Sequence, residues 1–242
     1  MKLVIGHLYP RLMNMYADRG NVICLEQRCR WRGIDVEVRS LGPGPLHNAA
    51  ELDLLLVGGG QDREQYLASH DLVETKGSVL RDAMRDGLVA LAVCGGYQLF
   101  GEYYRDHTGA ELRGIAVLPA HTMHPGEGSQ RCIGNIVTTW HGIKLVGFEN
   151  HGGRTYLHEP SAALATVESG FGNNGEDRTE GAQWQNVYGT YLHGSLLPKN
   201  PAFADYLIVQ ALQRRHGVAS LPPLDDAVEA SAHERALKIA GR

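Results

Sequence analysis

Leu88-Val-Ala-Leu-Ala-Val-Cys94-Gly-Gly-Tyr-Gln98 is the stretch that decides the fold. Leu88 to Val93 is apolar without alternation, which predicts a strand buried on both faces, as in a parallel sheet covered by helices. The run stops at a cysteine followed by a glycine pair, and Tyr97 to Tyr104 then carries helical character. A sharp strand-to-helix turn crowds the backbone and needs small neighbours, a need met by Ala92, Gly95 and Gly96. The side chain at the apex stands exposed at the carboxyl edge of the sheet, where open α/β folds place their ligands. A thiol there lies near the unpaired N–H groups of a helix start, which favour the nucleophilic thiolate. A cysteine that only filled the core would need neither the glycine pair nor the strand end.

Outward from this turn, Lys2–Leu8, Ile34–Arg39 and Asp53–Val57 read as strands, and Val22–Arg32, introduced by Asp18-Arg19-Gly20-Asn21, reads as a helix. Leu72–Arg85 has helical spacing closed by Gly87. Strand patterns follow at Ile115–Leu118, Cys132–Trp140, Lys144–Phe148, Ala163–Val167 and Asn186–Leu192, several of them suited to antiparallel pairing. Pro201–His216 is a helix with proline in its first turn, and Asp226 to Glu229 reads as a capping box opening a weak terminal helix. Gly170–Gly181, polar and glycine-rich, reads as a mobile loop. The expectation is one α/β domain over residues 1–242, with a mixed, mostly parallel central sheet flanked by helices and a short tail from about 218 to 242.

A net charge of −4 with interspersed signs supplies no basic face, so nucleic acid is excluded as a partner. No apolar stretch approaches the roughly 20 residues that cross a bilayer, and Met1 to Pro10 reads as a strand rather than a leader. A cytoplasmic protein that is not membrane-inserted is expected. The four cysteines form no C-x-x-C pair, which argues for free thiols. Among the 12 histidines, His193 is singled out because it ends an apolar strand and is followed by glycine, as Cys94 is. It is the candidate base for the thiol. His121 and His124 form H-x-x-H with no H-E-x-x-H and no carboxylate ligand at hand in the sequence, so no metal is expected.

These strand ends, with Gly58-Gly59-Gly60-Gln61-Asp62, resemble the class I (triad-type) glutamine amidotransferases, whose fold is flavodoxin-like. Val93 to Gly101 and Gly147-Phe-Glu-Asn-His-Gly-Gly-Arg154 are similar to the cobyric acid synthase glutaminase branch. More narrowly, Tyr9-Pro, Met13-Asn-Met-Tyr-Ala-Asp-Arg-Gly-Asn21 and Arg131-Cys-Ile-Gly-Asn135 look like the small subunits of lipid II isoglutaminyl synthases, which work with the Mur-ligase-like subunit MurT. The resemblance implies that Cys94 forms a glutamyl thioester, that His193 is its base, and that the N–H groups of Gly60 and Gly95 form the oxyanion hole. It further implies that Arg131, Gln98, Asn150, His151, Gly152 and Gly153 hold L-glutamine, Arg131 through the α-carboxylate. No cofactor is implied in this subunit, ATP and Mg being expected on the synthetase, and the ammonia acceptor is implied to be D-glutamate of the lipid II stem peptide.

Two departures stand out. Ala92 replaces the glycine found two residues before the nucleophile in many relatives. Full-triad relatives carry a glutamate two residues after the histidine, where this chain has Ser195. Either Cys94 and His193 act as a dyad, or a carboxylate arrives from elsewhere, such as the partner. The alternatives are the glutaminase part of a cobyrinate or cobyric acid amide synthase and a non-catalytic binding protein on the same fold. The first carries an ATP-binding domain ahead of the glutaminase, and no G-x-x-x-x-G-K-[ST] motif occurs here.

Overall fold

A computed structural model describes residues 1–14, 19–193 and 195–241, apart from the side chain of Asp62. Asp18, read as a helix cap, and Met15 to Ala17 of the Met13–Asn21 run lie outside the described residues. The first half contains β1 (Lys2–Leu8), α1 (Arg19–Arg30), β2 (Asp35–Leu41), β3 (Leu54–Val57), α2 (Asp62–Asp71), a π-helical segment Leu72–Lys76, α3 (Gly77–Arg85), β4 (Val89–Val93) and α4 (Gly95–Phe100). Short strands follow: β5 (Tyr103–Arg105), β6 (Glu111–Arg113), β7 (Ala120–Met123), β8 (Cys132–Trp140), β9 (Ile143–His151), β10 (Arg154–Leu157), β11 (Ala165–Ser169), β12 (Thr179–Glu180) and β13 (Ala182–Trp184). The chain ends in β14 (Val187–Thr190), α5 (Leu196–Lys199), α6 (Pro201–His216) and α7 (Ala227–Ala240).

The central sheet has six strands in the order β13-β14-β4-β3-β1-β2. All its pairings are parallel except that of β13 with β14 at the edge. The run β2-β1-β3-β4-β14 is the flavodoxin-like order. Alternate residues of β4 enter different cores. Val89, Leu91 and Val93 meet Leu25, Phe203 and Leu207 from α1 and α6, whereas Ala90 and Ala92 meet Leu80, Met84 and Phe100 from α3 and α4. Both faces are covered, which is why the strand shows no polar alternation.

Two four-stranded sheets complete the fold, ordered β10-β7-β5-β6 and β12-β11-β8-β9. The expected helix over Tyr97–Tyr104 stops at Phe100 because β7 passes over its end. A Cβ on Gly101 would lie 2.7 Å from the Ala120 carbonyl oxygen, so only glycine fits there. Ile115–Leu118 is not a strand. Its N–H groups of Ile115 and Val117 donate to Leu99 and Phe100, and the pairing expected of it is taken by β7.

Gly170–Gly181 is pinned rather than loosely held. Glu149 accepts the N–H groups of Phe171 and Gly172, and Asn173 donates to Thr179 and to the Gly181 carbonyl. Gly170, Gly172, Gly175 and Gly181 all have positive φ, so these glycines serve tight turns.

The terminal helix forms without the expected capping box. The Asp226 carboxylate instead accepts from Arg28, which also pairs with Asp205. Beyond this anchor, Ala236, Leu237 and Ala240 of α7 pack on Val137 and Val146 of β8 and β9, a small apolar cluster apart from the two main cores.

Candidate active site

Cys94 joins β4 to α4 with φ 54° and ψ −108°, a backbone region that costs a non-glycine residue on the order of 1–3 kcal/mol. Its N–H donates to the Thr190 carbonyl, the Gly96 N–H to the Gly58 carbonyl, and the Gln98 N–H to the Cys94 carbonyl. A Cβ on Gly96 would lie 2.8 Å from Val57 Cγ1 and 2.9 Å from the Gly58 oxygen, so the small residue expected there is required. A Cβ on Gly95 would lie 3.2 Å from the Gly60 amide nitrogen. The two glycines read as oxyanion donors are thus backbone neighbours. Gly95 is the first residue of its helix, where an N–H has no intrahelical acceptor.

Thiol environments separate the four cysteines. Burial pushes Cys24 and Cys29 up to about 12 and also raises Cys132, which keeps all three protonated at neutral pH. Cys94 instead lines a cavity of about 460 Å³. That cavity is shared by Gly60, Gln98, Arg131, Asn150, His151, Gly152 and Gly153, so the structure gathers most of the residues singled out in the sequence. His193 and Gly95 do not line it.

Hydrogen bonds hold the wall of this cavity. Gln65 Nε2 donates to Gln98 Oε1 at 2.8 Å, and Gln98 Nε2 donates to the Tyr191 hydroxyl at 3.1 Å. The chain continues through Thr155 to Thr122, each step 2.7 Å long. Arg131 Nε donates to Asn150 Oδ1 at 3.1 Å, which ties the guanidinium to the end of β9. Gln61, Arg63, Gln65 and Tyr104 also line the cavity and were not found from sequence. The first three lie at or in the start of α2, a helix that the sequence reading did not assign. Among the described lining residues are two arginines and no carboxylate, a setting that suits an anionic substrate group.

His193 follows β14, which lies parallel and adjacent to β4 with Thr190 beside Val93. Its backbone pairs with Phe148 in an antiparallel bridge, and the residue is 1% exposed. Burial, and then the charge of neighbouring His151, lowers its pKa to about 3. The side chain of Ser195 fills the space where a Cβ on Gly20 would stand, so this position faces the start of α1.

Two fully buried carboxylates lie behind the cavity, which sequence reasoning missed. Glu149 stands 3.7 Å from His151 Nε2, and His151 stacks on Tyr191 with centroids 3.7 Å apart. Glu180 accepts the Tyr191 N–H at 2.7 Å and the Thr190 hydroxyl at 3.0 Å. Burial raises Glu180 to about 8, with the Glu149 charge adding to the rise. The folded state therefore holds a proton that the unfolded chain releases near its ordinary 4.5. That contribution is fully present below the unfolded value and is lost as pH rises through about 8. Glu180→Gln is expected to flatten the fall in stability between about pH 5 and pH 8 by a few kcal/mol, read by urea unfolding at each pH. An unchanged slope would place Glu180 ionised.

His121 and His124 do not act together. His124 Nδ1 accepts the Gly126 N–H and its ring meets His107, whereas His121 gathers with His158 and Glu102. The carboxylate that the H-x-x-H reading lacked is thus supplied by the fold.

The fold is that of the class I glutamine amidotransferases. The chain belongs to the CobB/CobQ-like glutamine amidotransferase family, whose domain matches residues 4–201. Within that family it is 40% identical to the GatD subunit of lipid II isoglutaminyl synthase (glutamine-hydrolyzing) of Staphylococcus aureus, over 100% of this chain and 97% of the relative. The GatD subunit of Streptococcus pneumoniae is 36% identical over 93% of this chain and 86% of its own length. A probable cobyric acid synthase of Methanothermobacter thermautotrophicus is 31% identical over 81% of this chain but only 40% of the relative. Among solved structures, a glutamine amidotransferase superposes with a TM-score of 0.57 at 14% identity, covering 86% of this chain and 98% of that one. The PurLQS structure from Thermotoga maritima gives 0.56 at 16% identity, covering 98% of this chain and 100% of that one. No helix among the described residues is long and apolar enough to cross a membrane.

Proposed function

We propose that this subunit hydrolyses L-glutamine through a Cys94 thioester and passes the ammonia to a Mur-ligase-like MurT partner that amidates D-glutamate of the lipid II stem peptide. The observation that carries the chemistry is the turn at Cys94, which holds its thiol in strained backbone at the end of β4 and against the cavity. In the proposed reaction Cys94 Sγ attacks the side-chain carbonyl of glutamine, with the N–H groups of Gly60 and Gly95 facing the developing oxyanion. His193 takes the thiol proton and returns it to the nitrogen as the tetrahedral adduct collapses and expels ammonia. It then takes a proton from the water that attacks the thioester and returns it to Cys94 Sγ as glutamate leaves. Arg131 receives the α-carboxylate, while Gln98, Asn150, His151, Gly152 and Gly153 shape the remainder of the pocket.

ATP and Mg belong to the partner in this reading, and this subunit needs no cofactor of its own. The GatD relatives are spanned almost whole, whereas the cobyric acid synthase is spanned by less than half, which supports a separate synthetase. A cytoplasmic location follows from the same reading, since ATP-driven ligation would happen there.

With Ser195 in the usual place of an acid and His193 held near 3, the isolated subunit is expected to be a slow glutaminase. Adding purified Mur-ligase-like partner is expected to raise glutamate release by roughly tenfold or more, by orienting the imidazole and closing the site to water. Glutamate and amidated lipid II are measured with and without the partner. Full activity of the subunit alone, unchanged by the partner, would refute activation in trans. A complex that releases glutamate without amidating lipid II would refute the acceptor.

A further inference from the structure

The four-stranded sheet β10-β7-β5-β6 has two faces with different company. Side chains alternate along a strand, and the register sets Thr122 beside both Tyr104 and Thr155. That inner face carries Tyr104 and the Thr122–Thr155–Tyr191 hydrogen bonds, so it forms a wall of the cavity at Cys94. The next residues, Tyr103, His121 and Tyr156, take the other face. There the His121 ring lies near-parallel to Tyr103, with centroids 5.2 Å apart, and to Tyr156, at 5.8 Å. Two aromatic neighbours fix its orientation.

Beside His121 stand Glu102 and His158, and the ligand atoms of all three lie within 4.8 Å of one another. We propose that Glu102, His121 and His158 form a binding site for a divalent transition ion of the zinc class, on the sheet face opposite the glutamine pocket. Backbone bonds tie the three to one neighbourhood, since the Glu102 N–H donates to the Ala120 carbonyl and the His158 N–H to that of Pro119. His158 Nε2 and Glu102 Oε2 are 3.3 Å apart. Tetrahedral zinc with bonds of about 2.0–2.1 Å keeps its ligand atoms about 3.3 Å from one another. One edge of the tetrahedron is therefore already set. The remaining closure is within reach of side-chain rotation, because Glu102 and His158 are 42% and 43% exposed.

Imidazole nitrogens beside one carboxylate select zinc and its neighbours over magnesium or calcium, which prefer all-oxygen shells. Three protein ligands leave the fourth position to water or to a group from another molecule. An ion there would clamp the turn before β5, the strand β7 and the end of β10, stiffening the pocket wall from behind without entering the glutamine chemistry.

A simple His158–Glu102 ion pair is the rival, and it predicts no metal affinity. Chelator-stripped full-length protein is titrated with zinc against a chromophoric chelator, and cobalt serves as the spectroscopic probe. One equivalent is expected to bind in the micromolar range and to raise Tm, with tetrahedral cobalt bands and no thiolate charge-transfer band. Glu102→Gln and His158→Gln, at partly exposed positions, are each expected to weaken binding by about tenfold or more without lowering the metal-free Tm. His121→Ala combined with His158→Ala is expected to abolish it, whereas His107→Ala leaves it unchanged. Binding only at millimolar zinc, unchanged stoichiometry in the double variant, or a thiolate band from Cys94 would each overturn the site.

Discussion

Cys94→Ser is expected to lower glutamine hydrolysis by at least about 10⁴-fold, because nucleophile and base act as a unit and a hydroxyl is a far weaker nucleophile than a thiolate. The substitution is nearly isosteric, so the positive-φ turn and its bonds to Thr190, Gly58 and Gln98 have no reason to rearrange. Thermal unfolding and partner binding are therefore expected to stay close to those of the native protein. The environments of the other thiols make the experiment selective. Cys29 and Cys132 are buried, and Cys24 and Cys29 are pushed up to about 12. A glutamine-like electrophile should label one site in the native protein and none in the variant. Label found on Cys24, Cys29 or Cys132, or hydrolysis surviving the serine change, would sink the assignment of the nucleophile.

Legibility of this fold followed burial. Strands covered on both faces, such as Leu54–Val57 and Val89–Val93, must be apolar throughout, and that run is visible in one dimension. The end of β4 carries the Cys94-Gly-Gly turn, because a Cβ on Gly96 would run into Val57 and the Gly58 carbonyl at the end of β3. The small sheet was opaque for the opposite reason. β5 and β6 are three residues long with one buried side chain each, too little pattern to separate from loop. Buried carboxylates were invisible as well. Glu149 and Glu180 look like any surface glutamate in sequence, and only the loop and strand that donate to them show that they organise Gly170–Gly181 and the approach to Tyr191. The same applies to Glu102 beside His121, where a ligand-like set is assembled across strands rather than within a motif.

His193→Ala is expected to reduce glutamine hydrolysis nearly as far as Cys94→Ser, and the double variant to be no worse than either. The rival base is His151, since it lines the cavity and His193 does not. Its ring is already committed elsewhere. Nδ1 lies 2.8 Å from the Gly153 carbonyl, Nε2 faces Glu149, and the plane stacks on Tyr191. His151→Ala should therefore raise KM more than it lowers kcat, whereas His193→Ala should act mainly on kcat. His70→Ala, on an exposed helix position, serves as the neutral control. The pH profile adds a reading that a structural role would not move. Folding depresses the His193 pKa to about 3, so the stability it contributes is present above its ordinary 6.5 and is lost as pH falls through about 3. In the isolated subunit kcat/KM should show no acid limb near 6.5, because the free imidazole is already neutral there. A partner carboxylate set against His193 would favour the imidazolium, raise that pKa and bring an acid limb up towards neutrality. If His151→Ala abolishes turnover while His193→Ala retains most of it, the base has been assigned to the wrong histidine, and the stacked ring at Tyr191 must turn towards Cys94 during the reaction.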